Sequence, residues 1–576
     1  MDALGMVMQY HQETKHHPNR YARSLGGMDW ANQPDPFRRF EGAALVPLPI
    51  PGPGDEPLSP RYDDLYRPFP VPGAPVSIRT LSRLFEFALA LSAWKQVGES
   101  RWALRSNPSS GNLHPTEGYL VIGGLADSAL TTGLYHYAPK EHALERRAEI
   151  PDPLFAALMK DFPPRGFLIG LTSIHWREAW KYGERAFRYC QHDAGHAVGT
   201  IRIAAATLGW KAVILDGLAH STIEELLGLG RAGDFAGAER EESLLVMVVW
   251  PTGDETGAPA DAGRSLPLHL DPDLIHEMTR QRWHGRANRL SAGDPVSWEI
   301  IDRAAMASRK LNSEPTTLGL DNRAPAPDGV ERPGGGPSAG RIIRQRRSLL
   351  ACDGKTTIPA QTFYRILSRV MPRPERPVSR RPMPWDGIPW DPTIHLALFV
   401  HRVVGIPPGL YILPRNPERA GMLRNSLRGD FSWESPPRCP ADLPLRLLAH
   451  RDARDLATMV SCHQEIAGDG AFALAMIAEF EPVLRSRGPW FYRRLFWEAG
   501  AVGQVLYLEA EAAGVRATGI GCFFDDPVHD VLGIPDATFQ SLYHFTIGGP
   551  VDDPRLTTLP PYGAHVDGQE RGIDLP

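Results

Sequence analysis

A chain that contains the same helix twice folds as two related bodies, and this 576-residue chain contains one twice. DAGHAVGTIRIAAATLGWKA, from Asp193 to Ala212, lies over EAGAVGQVLYLEAEAAGVRA, from Glu498 to Ala517, without a gap. The offset is 305 residues throughout, carrying Gly195 to Gly500 and Gly209 to Gly514, and the register runs on to LLGL at Leu226 and VLGI at Val531. GLYHY at Gly133 and GLYIL at Gly409 repeat at a different spacing. Two Ala-rich helices can look alike by chance. Agreement through a helix, a Gly stop, a basic residue and a later Leu-Gly argues instead for an internal duplication.

Within the first copy, Ala194, Ala197, Val198, Ile201, Ala204, Ala205 and Leu208 have the spacing of a helix face buried on one side. Gly209 and Gly514 stand where a left-handed stop costs least. The N-terminal part of both copies is rich in Ala and Gly, which lets another helix approach closely, so the two are expected to pack on each other along the axis relating the halves. Strand-like runs flank them: YLVIGGL, GFLIGLT and SLLVMVVWP in the first half, HLALFVHRV and HFTIGG in the second. Each half therefore reads as α+β, with helices on a mostly antiparallel sheet.

Two segments look like connections, VPLPIPGPGDEPLSP from Val46 and the stretch from Asn312 to Gly340, whose Gly, Pro and Ser content predicts no packed element. The expected organisation is an arm over 1–76, a half over 77–311, a linker over 312–340 and a second half over 341–576. A net charge of −5 gives no electrostatic reason for a nucleic acid or anionic membrane partner. The opening MDALGMVMQYHQETK lacks the apolar core of a signal peptide, and no run reaches the ~18 apolar residues of a spanning helix, so a cytoplasmic location is expected. Five scattered cysteines without a C-x-x-C pair argue for free thiols rather than a disulfide framework or zinc site. His11, His16 and His17 have no Cys or carboxylate spacing to complete a metal site; the arm is expected to lie over a pocket or the other half.

The halves differ where chemistry is expected. Only the first owns RSNPSSGNLHPTEGYL, Arg105 to Leu120; only the second owns RQRRSLL, Arg344 to Leu350, and ATGIGCFFDD, Ala517 to Asp526. In the corresponding places stand PWDGIPWDPT and VILDGLAHST. Arg346 and Arg347 offer permanently charged planar forks suited to phosphate, and Ser348 adds a hydroxyl. Ser109, Ser110 and Asn112 present short donors and acceptors, with Gly111 letting backbone approach a flat polar edge. Taken singly, each element reads equally as a solvated helix start, an ordinary turn or a loop.

Together they resemble the flavin-dependent nitroreductase superfamily, whose members are normally homodimers binding FMN at the subunit interface. There, an R-x-S element and a late Gly-containing loop of one subunit meet a P-S-S/A-x-N turn from the other. The resemblance implies a nitroreductase-like FMN-binding fold in two tandem copies, an intramolecular pseudo-dimer. It implies one FMN per chain, held by Ser109, Ser110 and Asn112 of the first half and by Arg346, Arg347, Ser348, Gly519, Gly521 and Cys522 of the second. Gly519 and Gly521 would free the backbone near Cys522 to donate an N–H to the flavin ring. Arg555 falls where the family often has a second basic phosphate ligand, and Leu350 stands where members often carry a base. The mirror-image site is then free to decay.

The W-K-Y-G-x-R-A-x-R-Y portion of HWREAWKYGERAFRYCQHDAGH, His175 to His196, together with the PSSGN region, resembles the SagB-type azoline dehydrogenases. These use FMN to oxidise thiazolines and oxazolines in ribosomal peptides; the likeness spans most of the first half and, more weakly, the second. It implies that Lys181 and Tyr182 are catalytic. Aromatisation removes a ring proton as hydride leaves, so a base must sit at the substrate carbon, and a buried lysine or polarised tyrosine serves. Lys181 is the expected base, with Tyr182 orienting it or relaying the proton; otherwise they are a surface lysine and a core tyrosine at a helix start. The expected function is FMN-dependent conversion of an azoline to an azole in a peptide or peptide-derived molecule, beside other enzymes of a peptide-modification pathway. The alternatives are an NAD(P)H-dependent nitro or quinone reductase and a non-catalytic flavin-fold scaffold that binds peptide.

Overall fold

The computed structural model describes residues 1–50, 58–67, 71–252, 264–320 and 336–563. Each half builds one large antiparallel sheet. In the first the spatial order is Leu45–Pro47, Ala143–Glu149, Gly133–Ala138, Thr116–Ile122, Phe167–Ser173, Glu242–Pro251 and Trp210–Ile214. In the second it is Arg446–His450, Gly409–Leu413, Ile394–Val400, Phe472–Glu479, Phe539–Gly548 and Arg516–Ile520. Central strands such as Phe167–Ser173 and Phe472–Glu479 are buried along their whole length. That double-sided burial is why they read as continuous apolar runs rather than as alternation. All five strand-like runs and both GLY repeats lie in these sheets. Ala143–Glu149 carries LERRAE and gives no such signal; its Glu145 is instead held by His136 and Arg39.

The repeated sequence forms two 22-residue helices, Ala186–Thr207 and Phe491–Ala512. Gly209 and Gly514 follow them at φ 66° and 73°, and the later pair Gly228 and Gly533 end the next helices at φ 70° and 79°. The long helices pack on each other as expected. A Cβ placed on Gly195 would come within 2.3 Å of Trp497 O, and one on Gly500 within 2.2 Å of His192 O. Trp497 is the counterpart of His192 in the 305-residue repeat, so the contact is reciprocal.

The one-sided burial expected of the first copy is not what forms: nearly every residue of Ala186–Thr207 is buried. The helix runs between its own sheet and the other half, so its polar side chains meet partners there. Arg185 and Arg188 bind Asp525 (2.9 and 2.8 Å), Arg202 grips Asp386 with two bonds of 2.8 Å, and His196 meets Tyr543 OH at 3.2 Å. In return Arg493 of the second helix donates to Ser243 O, Ser308 Oγ and Ala305 O of the first half. Buried charges are tolerated only when paired, so these cross-half pairs make each half incomplete without the other.

Two further segments cross between the halves. The N-terminal helix Ala3–Glu13 places His11 between Tyr492 OH and Gln540 Oε1 (3.3 Å each), and Lys15 bonds Asp526. The arm thus lies over the partner half, with both ring nitrogens of His11 facing protein groups. Thr557–Leu559 returns from the second half to extend the hairpin Leu91–Val97 and Ser100–Arg105 of the first. The expectation of no packed element in 312–340 is corrected: Thr316–Leu320 pairs antiparallel with Arg264–Leu268 in a two-stranded sheet of their own, and Ser338 caps the helix Ala339–Gln345. Residues 321–335 of that stretch, and 51–57 of the proline-rich one, lie outside the described residues.

Candidate functional site

The hairpin Leu91–Arg105 delivers the chain into the PSSGN turn, and the turn is built under strain. Gly111, Asn112 and His114 all have left-handed backbone, φ 58°, 61° and 52°. Such conformations persist only where the surroundings over-determine them, and here they do. Asp193 of the first long helix accepts from Ser110 N and Ser110 Oγ, both at 3.0 Å. Ser109 Oγ accepts from His114 N (2.8 Å), while Asn112 donates to Ala103 O (2.8 Å) and pairs with His114 Nε2 (3.0 Å). The side chains of Ser109, Ser110 and Asn112 therefore brace the turn.

From the second half, the end of helix Ala339–Gln345 brings Arg346, Arg347 and Ser348 alongside Arg516–Ile520, where Leu349 N donates to Ala517 O (3.0 Å). Arg346 donates to Arg105 O and Arg347 to Ser92 O, so both arginines also hold the first half's hairpin. Ser348 Oγ and Gly519 N converge on Tyr507 OH at 3.2 and 3.0 Å.

Between these pieces lies a cavity of about 1060 Å³. It gathers Ser109, Ser110 and Asn112 with Arg346, Arg347, Ser348, Gly519, Gly521 and Cys522. Arg555 is not among its walls. The sequence places Arg555 beside Asp553, and that carboxylate takes its backbone N–H and guanidinium, leaving the side chain in solvent. The cations added at this end are Lys95, Arg344 and Arg516, and Leu350 also lines the wall. Glycine is required at 519 and 521 by neighbours rather than by access: a Cβ would fall 1.9 Å from Tyr543 OH and 2.5 Å from Tyr189 Cε1, respectively.

A bound anion fits the basic end. Arg346 is fully buried with its Nε unpartnered, and burial pushes its guanidinium below the ordinary value. Burial, followed by the charge of Arg346, lowers Arg347 to about 10. Two adjacent cations that resist each other's charge are stabilised by phosphate oxygens, which accept from such forks.

Beside the turn the wall is aromatic, with Tyr182, Tyr189 and Tyr543. Helix His175–Tyr182 stops at Gly183, φ 54°, because the arm crosses there; a Cβ would meet Arg23 O at 2.2 Å. Tyr182 lines the cavity with its ring 4.5 Å from that of Tyr189, and Lys181 Nζ stands 5.3 Å from the Tyr182 ring. Both face the turn: a Cβ on Gly111 would lie 2.5 Å from Tyr182 OH and 3.2 Å from Lys181 Nζ. Burial, then the charge of Glu178, pushes the Tyr182 phenol well above its usual value, so Tyr182 is a hydroxyl and not a base at neutral pH. One turn back on the same helix face, Glu178 is buried with neither carboxyl oxygen hydrogen-bonded, and burial with the Asp193 charge pushes it up too. Burial raises Asp193 from 3.8 to about 7 against the Ser109 and Ser110 hydrogen bonds. Sequence reasoning missed Asp193, Glu178, Tyr189, Tyr507, Tyr543 and Arg516. The signal for Asp193 was present, since the repeat puts a carboxylate at both Asp193 and Glu498.

The mirror position is closed. Counterparts of Tyr189 and Gly521 are Arg494 and Asp216, which form an ion pair at 2.9 Å. The chain over Ser313–Thr316 then lies on the loop, with Gly217 N donating to Thr316 Oγ1 (3.0 Å) and Glu314 N to Gly217 O (2.9 Å). Glu498 is spent on Thr393 and Arg415, and the PWDG turn on the Asp386 pairs with Arg202 and Lys211. Among the described residues no helix is long and apolar enough to cross a membrane.

The nitroreductase family model matches residues 73–238 and 432–549, one stretch in each half. The protein MJ1384 of Methanocaldococcus jannaschii, named for the nitroreductases, is 26% identical over 180 residues, 31% of this chain and 81% of its own. The trifolitoxin-processing protein TfxB of Rhizobium leguminosarum bv. trifolii is 30% identical over 131 residues, 21% of this chain and 35% of its own. A crystal structure from Anabaena variabilis, also named for the nitroreductases, superposes with a TM-score of 0.61 at 20% identity, covering 95% of this chain and 99% of that one. That likeness establishes the fold over both halves.

Proposed function

The chain belongs to the nitroreductase family, with a family segment in each half, and from that premise we propose that it is an FMN-dependent dehydrogenase acting on an azoline within a peptide or peptide-derived molecule. The observation that carries the reading is a cavity walled jointly by the PSSGN turn of one half and the RRS and GIGC segments of the other. Arg346 and Arg347 would hold the phosphate, with Ser348 beside them. Asp193 keeps the turn in place. FMN, when bound, supplies the two-electron acceptor for hydride loss.

Tyr182 lines the cavity and Lys181, outside that lining, stands 5.3 Å from the Tyr182 ring; the substrate carbon would sit beside this pair. Removal of the ring proton falls to the Lys181 amine, and the Tyr182 hydroxyl, kept protonated by its surroundings, orients the amine or the ring heteroatom by hydrogen bonding. The domain division expected from sequence is part of this reading: 77–311 and 341–576 as halves, 1–76 as an arm across them. A relative named for processing trifolitoxin supports a maturation role on a toxin-like product, with pathway enzymes as partners.

The test is flavin content followed by turnover. Purified protein should carry one FMN per chain and convert an azoline peptide to the azole, and Lys181→Ala should keep FMN but lose turnover. Rapid NADPH oxidation with quinone or a nitroarene, and none with azoline, would establish the reductase alternative. Protein that is colourless and takes up no flavin would favour the scaffold.

A further inference from the structure

Two of the five cysteines lie together at the rim of the cavity. Cys522 lines the cavity wall and Cys462 follows helix Arg454–Val460; both are half-buried. Their loops are stitched to one another: Phe524 N donates to Val460 O at 2.9 Å, and Gln464 Nε2 donates to Cys522 O at 2.8 Å. Cys462 is held in left-handed backbone, φ 54°, as is His463 at 58°, so the loop keeps a conformation that a non-glycine residue adopts only under constraint. The Arg185 guanidinium backs the second loop, 4.7 Å over the Phe523 ring and 3.5 Å from Gly521 O.

Position distinguishes the two sulfurs. Cys522 lines the cavity wall, where a small disulfide can reach it, whereas Cys462 is not part of that wall. Contact with Cys462 and the nearby charge of Arg185 both lower the Cys522 thiol, so Cys522 is assigned as the attacking thiol and Cys462 as the resolving one.

We propose that Cys522 and Cys462 form a reversible dithiol–disulfide pair at the cavity rim, closed by exchange with a low-molecular-weight disulfide. The Cys522 thiolate attacks one sulfur of the small disulfide, forming a mixed disulfide and releasing one thiolate. Cys462 then loses its proton and attacks Cys522 Sγ, forming the internal bond and releasing the second. Overall, two protein thiols are oxidised and one small disulfide is reduced to two thiols, so atoms and electrons balance. The bond would tie the Ser461–Gln464 loop to Gly521, whose carbonyl receives the Tyr189 hydroxyl at 3.1 Å.

The test uses the full chain in buffers of reduced and oxidised glutathione, followed by denaturing alkylation and mass analysis. As the buffer becomes oxidising, alkylatable thiols should fall from five to three in one step, and peptide mapping should find a Cys462–Cys522 cross-link. Cys462→Ser should accumulate a glutathione adduct on Cys522 alone. A stable adduct on Cys522 of the unaltered chain without a cross-link, or five alkylated cysteines at every ratio, would overturn the proposal, and neither outcome depends on the activity of the protein.

Discussion

Gly195 and Gly500 meet where the two long helices cross, so that a Cβ on Gly500 would lie 2.8 Å from the Gly195 Cα. The contact is backbone against backbone and has no side chain to swing aside. Gly500→Ala is expected to cost about 1–3 kcal/mol or more by forcing the helices apart. Urea denaturation checks this. An unchanged midpoint would mean that the halves do not cross here.

Asp193 should shape the dependence of stability on pH. Its carboxyl titrates near 7 in the folded protein and near 3.8 unfolded, so between these values the folded state holds a proton that the unfolded state has lost. Stability contributed by this group therefore falls as pH rises from about 4 to 7, then stays flat. Asp193→Asn should remove that slope, read from denaturation midpoints across the window. A slope identical to that of the unaltered chain would refute the assignment.

Loss of Arg346 or Arg347 should weaken FMN. Removing one charge-assisted set of hydrogen bonds is worth roughly 1.5–3 kcal/mol, or roughly tenfold to more than a hundredfold in Kd. Arg555→Ala should leave binding unchanged, because its guanidinium is engaged by Asp553 in solvent. Fluorescence titration of apoprotein with FMN separates the two cases.

Beside the turn, Lys181→Ala and Tyr182→Phe should each lower azoline turnover by about 10²–10⁴-fold, the usual span for a general acid or base. Flavin occupancy should not change. A variant that loses flavin and activity together would point to a structural role instead.

Asp525 ties the arm to the second half. It is buried between Arg185 and Arg188 and also accepts from His16 N at 2.9 Å. Those cations hold its carboxyl far below the usual range, so its contribution is present above about 4 and lost as pH falls. Asp525→Ala leaves two buried guanidiniums uncompensated, at a cost of about 3–5 kcal/mol. Limited proteolysis should then cut near Thr14–Tyr21, and resistance there equal to that of the unaltered chain would count against the anchoring role.

The parts legible in the sequence were those set by periodicity and by backbone need. The repeat located both long helices, their glycine stops and the face on which they meet, because small residues at a crossing are a steric requirement. The apolar strands were visible for the same reason that they are buried on both faces. Buried charges were not legible. Arg188, Arg202 and Arg493 look like surface residues until the other half supplies Asp525, Asp386 and Ser308. The position of Arg555 was not legible either, since nothing in DDPRL reveals that its guanidinium lies against Asp553 outside the cavity walls. Glu178 and Tyr189 gave no pattern because their proximity needs the Lys181 helix to pack along the one that follows it, and Tyr507 and Tyr543 arrive from the second half.

The ion pair Arg494–Asp216 marks what fusion permits. In an assembly of two identical chains, any residue that filled one interface pocket would fill its twin as well. Joined end to end, the counterparts Tyr189 and Arg494 are free to diverge, one lining a cavity and the other sealing one. Assembly also becomes unimolecular: the two walls of the cavity arrive on the same polypeptide, so diluting the protein does not pull them apart.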